Sequence, residues 1–195
     1  MKNRSGFVLT GGASRRMGRD KALLEWQGTT LVERIAKRVR EAAGSVALVG
    51  HPERYTALGI PGIADRRPDA GPLGGIEAAL AASDADWNLI VACDMPCVTT
   101  PFLDSLLTEA ERSGADCLVP VTPDGRVQPL CAAYNRRCLE PFTEALDRGI
   151  RSAAGALELV RAALRPFEND TWAANVNDPE DLAHHPACPE ANGLR

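Results

Sequence analysis

Short apolar runs at residues 7–10, 46–50, 88–93 and 117–121 alternate with stretches of helical periodicity, and this alternation constrains the fold more than any other feature. Strand, helix, strand is the repeating unit of a parallel sheet whose faces are covered by helices. Between the first two runs, Leu31, Ile35 and Val39 recur every four residues with charges opposite them, and Gly44 is placed to end that helix. Further helices are predicted at 74–83, 101–113, 139–146 and 152–164, the last interrupted by Gly155. Thr100 is placed to cap the helix at 101–113, with Pro101 at its first position. Residues 127–134 form a further strand candidate, and Asp178-Pro179-Glu180-Asp181-Leu182 reads as a short capped helix. The fold expected is α/β: one domain with a mostly parallel central sheet flanked by helices. A chain of 195 residues is long enough for one sizeable core and short for two. The domain is expected to span 1–184, and the aperiodic stretch 185–195 to be a flexible tail.

In an open α/β sheet, ligands bind where the carboxyl ends of the strands run into loops. The first such loop here is Leu9-Thr10-Gly11-Gly12-Ala13-Ser14-Arg15-Arg16-Met17-Gly18-Arg19-Asp20-Lys21. Paired glycines let backbone N–H groups approach a ligand closely, and three arginines and a lysine within seven residues add positive charge. That combination suits a polyphosphate. It is neither of the two familiar phosphate loops. Gly18 is followed by Arg19-Asp20 instead of Lys-Ser/Thr, and Gly11, Gly12 and Gly18 lack the G-x-G-x-x-G spacing.

Composition sharpens the point. The net charge is −4, so these cations stand against the general trend, and broad binding to nucleic acid or anionic membrane is disfavoured. No apolar run approaches the ~18 residues of a membrane span, and the apolar stretch that stops at Gly11 is too short for a signal-peptide core. A cytoplasmic location follows as the expectation. In that setting the six cysteines are expected to be unpaired, with Cys93, Cys117 and Cys131 buried in apolar runs. His184 and His185 read as solvated residues at the start of the tail.

Three more segments fall at strand ends. Asp65-Arg66-Arg67-Pro68-Asp69-Ala70-Gly71-Pro72-Leu73-Gly74-Gly75 follows the apolar run 60–64; its glycines and prolines suit a rigid wall beside a flat base, or equally a turn and helix start. Asp94 ends the apolar strand 88–93, where a lone carboxylate needs a partner or a cation. Mg²⁺ favours few carboxylates together with substrate phosphates and water, which makes Asp94 the leading metal-ligand candidate; the alternative is a cap or turn role before Pro96. Asn175 and Asn177 share one face of an extended segment, although an Asx turn also explains Asn177 and Asp178.

Together these features suggest nucleotidyl transfer. Arg16 and Lys21 would hold the triphosphate and stabilise departing pyrophosphate, while Mg²⁺ on Asp94 would polarise the reacting phosphate. A phosphate nucleophile requires no covalent enzyme intermediate.

The loop pattern L-x-G-G-x-S-x-R-M-G-x-D-K, read from Leu9 to Lys21, resembles the signature of the molybdenum cofactor guanylyltransferases. The likeness continues through Gly71-Pro72-Leu73-Gly74-Gly75, Cys93-Asp94-Met95-Pro96, Gln128-Pro129-Leu130 and Asn175-Val176-Asn177-Asp178-Pro179-Glu180-Asp181-Leu182, in family order. The resemblance implies a Rossmann-like nucleotidyltransferase fold and a Mg²⁺-dependent reaction. In it, GTP and molybdenum-bound molybdopterin give a guanine dinucleotide cofactor and pyrophosphate. It places Leu9, Thr10, Gly11, Gly12, Lys21, Asp65 and Asp94 at GTP, Arg16 near its phosphates, Mg²⁺ on Asp94, and Gln128, Asn175 and Asn177 on the pterin side. Transient contact with other cofactor-synthesis proteins or molybdoenzyme chaperones is among the partners implied. One departure is visible: a nucleotide-contacting asparagine that some members carry after the second strand is missing from Val46-Ala47-Leu48-Val49-Gly50-His51. The competing readings are a cytidylyltransferase acting on the same cofactor, a sugar-phosphate nucleotidyltransferase, and a non-catalytic nucleotide or cofactor carrier. Gly11-Gly12 and Asp20-Lys21 resemble the guanylyl branch.

Overall fold

The computed structural model describes residues 3–11, 20–176, 181 and 188. Its strands are β1 (Arg4–Leu9), β2 (Glu25–Trp26), β3 (Thr29–Thr30), β4 (Ala47–Gly50), β5 (Gly62–Ala64), β6 (Trp87–Ala92), β7 (Cys117–Val121), β8 (Cys131–Asn135) and β9 (Ala162–Pro166). Its α-helices are α1 (Leu31–Ala43), α2 (Gly71–Ala81), α3 (Thr100–Ser113), α4 (Leu139–Asp147) and α5 (Ala153–Ala156). Seven strands form one sheet in the order β5-β4-β1-β6-β8-β7-β9, and β2 and β3 form a separate small hairpin. The sheet is mostly parallel, as expected; β8 alone in it runs antiparallel to its neighbours.

Alternation along the strands divides the core into two layers. Val8, Leu48, Leu89 and Val91 pack against Ile35 and Val39 of α1 and Phe102, Leu103 and Leu106 of α3. Phe7, Leu9, Val49 and Ile90 pack on the opposite face against Leu73, Ile76 and Leu80 of α2 and Phe142 of α4. Burial of each such side chain contributes on the order of 1.5–3 kcal/mol, so register is strongly specified on both faces. Helix α1 starts in a capping box, Thr30 and Glu33 satisfying each other's backbone N–H groups, and ends at left-handed Gly44. It lies so close to β1 that a Cβ on Gly6 would sit 2.3 Å from Val39 Cγ1.

Four sequence expectations are corrected. The helix predicted at 152–164 is only Ala153–Ala156, followed by a 3₁₀ turn at Leu157–Leu159 and then strand β9. Here tertiary pairing overrides local pattern: β9 runs parallel to β7 from Cys117↔Ala162 to Val121↔Pro166. The strand candidate at 127–134 is a strand only in its second half: Val127 makes an isolated bridge to Val121, a turn closed by Cys131 N–H on the Gln128 carbonyl follows, and β8 begins at Cys131. The cap of α3 is Thr99, whose hydroxyl accepts from Phe102 N–H, while Thr100 is already helical. Finally, Cys97 and Cys188 form a disulfide although no pairing was expected; they lie 91 residues apart, a separation that carries no local signal. The terminal helix at 178–182, apart from Asp181, lies outside the described residues, as do His184 and His185.

Asp116 fastens the far edge of the sheet. Its carboxylate accepts from Arg161 N, Nε and Nη2 and from Arg137 Nε, at 3.0–3.1 Å. These bonds, chiefly those to Arg161, hold its pKa down at about 2 against an ordinary 3.8. A depressed carboxylate pKa contributes stability above the unfolded value, and that stability is lost as pH falls through the folded one. Because both arginines are largely solvated, the contribution is discounted to about 1 kcal/mol. Urea unfolding of Asp116→Asn is expected to show a loss of about 1 kcal/mol at pH 7 that fades between about pH 4 and pH 2. A loss independent of pH would contradict this account.

Candidate active site

The chain winds from β1 to β4 and β5 on one side of the sheet, then returns to place β6 on the other side of β1. The crevice at the carboxyl ends of β1 and β6 is therefore the topological switch point of the sheet. Register brings the two ends level, with Leu9 opposite Ala92 and Cys93 N–H bonded to the Leu9 carbonyl at 3.1 Å. The segment that follows Leu9 and the aspartate after Cys93 thus start side by side.

Across this crevice Lys21 Nζ lies 3.0 Å from Asp94 Oδ2, both side chains being largely buried. The carboxylate at the strand end has found a cation, as its position demanded. The Asp94 carbonyl accepts from Val176 N–H at 2.8 Å, which brings the segment containing Asn175 to the same edge. Asn175 is exposed there.

The other predicted residues divide into groups. Leu9 is buried under α2 and fills the space beside Gly75. Thr10 is buried, its N–H and hydroxyl both donating to the Val49 carbonyl at 2.9 Å. Asp65 follows β5, with its N–H on the Gly50 carbonyl, and its Oδ2 would lie 3.8 Å from a Cβ on Gly11. Loss of surrounding water raises its pKa, an effect His51 partly offsets. Gln128 lies in the turn before β8; Leu130, two residues on, accepts from Ala92 N–H at the end of β6. Gly12, Arg16 and Asn177 lie outside the described residues.

Where the expected asparagine is missing, Gly50 adopts φ +132° and presses on the first loop: a Cβ there would lie 3.0 Å from Gly11 N. Cys93 is free and buried, its thiol pushed up to about 12 by burial and then by the Asp94 charge. It is neither a nucleophile at neutral pH nor paired with Cys97, which is bonded to Cys188.

Two residues at this edge escaped sequence reasoning. Arg38 of α1 reaches across to donate to the carbonyls of Pro96 and Val98, holding the turn that follows Asp94. It sits beside the apolar stripe of Ile35 and Val39, and nothing local distinguishes it from a solvated helix charge. Tyr55 lies between two short 3₁₀ turns, where no periodicity marks it, yet is 2 % exposed and donates from its hydroxyl to Asp20 Oδ2 at 2.8 Å.

Among the described residues, no group of three or more His, Cys, Asp or Glu could hold a metal ion. One carboxylate at a strand end beside a lysine suits a cation shared with substrate phosphates better than a cage made by protein alone.

A doubly wound sheet that sets a lysine and a strand-end carboxylate around its switch point, beside the segment that leaves β1 at Thr10–Gly11, defines a nucleotidyltransferase fold of the α/β class. Comparison with known proteins narrows this. Residues 6–164 match the family model described as a MobA-like NTP transferase domain. A Bacillus cereus protein named "Probable molybdenum cofactor guanylyltransferase" is 35% identical over 191 residues, covering 93% of this chain and 94% of its own. The crystal structure of molybdopterin-guanine dinucleotide biosynthesis protein A from Archaeoglobus fulgidus superposes with a TM-score of 0.80 at 26% identity, covering 93% and 96% of the two chains. The fold alone is shared with 2-C-methyl-D-erythritol 4-phosphate cytidylyltransferase from Thermus thermophilus, TM-score 0.70 at 20% identity, over 92% and 95% of the chains. The chain belongs to the MobA-like NTP transferase family. No helix among the described residues is long and apolar enough to cross a membrane.

The Lys21–Asp94 pair is partly buried, so its coupling exceeds that of a surface pair. A double-mutant cycle of Lys21→Met and Asp94→Asn, read by urea unfolding, is expected to give a coupling of about 1 kcal/mol. Simple additivity would show that the two side chains do not sense each other in solution.

Proposed function

We propose that this protein transfers GMP from GTP to the phosphate of molybdenum-bound molybdopterin, forming the guanine dinucleotide cofactor and releasing pyrophosphate. The observation that carries this reading is the 3.0 Å approach of Lys21 to Asp94 at the switch point, where β1 and β6 end level. Its support from relatives is the shared name of guanylyltransferases that match over nearly the whole chain.

An oxygen of the acceptor phosphate attacks the α-phosphorus of GTP. The new P–O bond forms as the bond to the β,γ-diphosphate breaks, and pyrophosphate carries away the bonding pair. Both partners are anionic, so the work of the protein is to hold them in line and to neutralise the charge that develops. Backbone N–H groups of the Gly11–Gly12 turn, with Arg16 and Lys21, hold the triphosphate. Asp65 meets the guanosine, and Leu9 and Thr10 set the floor of the nucleotide site. Asp94 would hold Mg²⁺, which when bound supplies charge neutralisation on the phosphates. As GTP arrives, Lys21 exchanges Asp94 for phosphate oxygens. Gln128, Asn175 and Asn177 serve the pterin side, an assignment supported by the bond that ties Val176 to Asp94. The reaction is placed in the cytoplasm, where GTP is at hand. A non-catalytic carrier would have little use for a lysine and a carboxylate opposed at a polyphosphate loop.

The test compares donor nucleotides with purified protein, Mg²⁺ and molybdenum-loaded molybdopterin. Since a base-reading site discriminates through hydrogen bonds left unpaired by the wrong base, kcat/KM is expected to favour GTP over CTP by about 100-fold or more. A preference for CTP would overturn the guanylyl assignment.

A further inference from the structure

The buried hydroxyl of Tyr55 has a chemistry that core packing does not need. The ring is 2 % exposed and packs within the α1/α3 layer of the core, a place a phenylalanine would fill equally well. A buried hydroxyl is costly unless hydrogen-bonded. This one is spent entirely at the candidate active site. It donates to Asp20 Oδ2 at 2.8 Å. That partner is the residue that precedes Lys21.

Asp20 is held from two sides. Its Oδ2 takes the tyrosine hydroxyl, and its Oδ1 accepts from Ala22 N–H at 3.1 Å, capping the 3₁₀ turn Lys21–Leu23. Lys21 is the first residue of that turn, and its Nζ reaches Asp94. A continuous chain of contacts therefore runs from Tyr55 through Asp20 to the backbone that aims Lys21. Arg54 lies 3.8 Å from the same Asp20 oxygen and offers it an alternative partner on the solvent side. Burial, and then the neighbouring carboxylate, push the Tyr55 hydroxyl well above its ordinary range, so it stays a donor wherever the protein is folded.

We infer that Tyr55 is a positioning residue for nucleotide binding: its hydroxyl holds Asp20, which caps the turn that begins at Lys21, and so fixes the direction of Lys21. The inference rests on the reading of this edge as a GTP site. Tyr55 touches no reacting atom. It acts by removing freedom that the nucleotide would otherwise have to remove on binding, a cost that falls equally on ground and transition states. Loss of the hydroxyl therefore raises KM and leaves kcat in place, whereas loss of folded protein would lower apparent kcat and leave KM in place.

Steady-state kinetics with GTP tests this in wild type, Tyr55→Phe, Asp20→Ala and the double variant. Tyr55→Phe is expected to raise KM for GTP about tenfold, equivalent to about 1.4 kcal/mol, with kcat within about twofold of wild type. Asp20→Ala is expected to do at least as much, and the double variant to be no worse than Asp20→Ala alone by more than about twofold, since both remove one linkage. An unchanged KM in Tyr55→Phe, a fall confined to kcat, or effects that multiply in the double variant would each overturn the inference while leaving GTP transfer intact. Should Tyr55→Phe fail to fold, Asp20→Ala, which leaves the core packing alone, decides the matter by the same KM criterion. Wild-type protein that does not turn over GTP overturns the functional reading itself, and this inference with it.

Discussion

The parallel pairing of β1 with β6, from Arg4↔Trp87 to Leu9↔Ala92, is the constraint on which the rest of the structure depends. These strands are distant in sequence, and a register slip of one residue would turn Val8 and Val91 out of one core layer and Leu9 and Ile90 out of the other. Burial on both faces makes any such slip costly. The chemistry inherits that precision. Because Leu9 and Ala92 end level, Thr10 and Asp94 leave the sheet at the same crevice.

Around this pairing, several elements hold the site from outside it. Arg38 of α1 grips the carbonyls of Pro96 and Val98, the Cys97–Cys188 disulfide ties the same turn to the C-terminal segment, and Val176 bonds to the Asp94 carbonyl. On the β1 side, Gly50 presses against Gly11, and Tyr55 holds Asp20 beside Lys21. The strand ends are thus braced by neighbours that contribute few atoms to the crevice itself. Such bracing is what lets one carboxylate and one lysine hold a fixed separation in a site built on loops.

What could be read from the sequence was what repeats locally. Leu31, Ile35 and Val39 declare a helix face by spacing alone, and all three are fully buried. The apolar runs declare strands, and Asp94 stands out because a carboxylate at the end of such a run needs a partner. Its partner, Lys21, lay in plain view within the basic loop, but their contact depends on the β1–β6 register. What could not be read was decided by tertiary pairing. The stretch that becomes β9 looks helical until β7 offers it an edge, and Thr99 rather than Thr100 caps α3 because the two threonines are chemically equivalent. Cys188, Arg38 and Tyr55 each act on residues far away in the chain, and their sequence neighbours hold no trace of it.

Product formation in the Asp94→Ala variant tests the central claim most directly: that the strand-end carboxylate is where phosphates and Mg²⁺ meet. With GTP, Mg²⁺ and molybdenum-loaded molybdopterin, wild-type protein should release pyrophosphate and guanine dinucleotide in equal amounts. Asp94→Ala should lose at least about 100-fold of that rate, the scale of removing a principal electrostatic group, while its thermal midpoint and circular dichroism stay those of a folded protein. Full activity in folded Asp94→Ala would contradict the account.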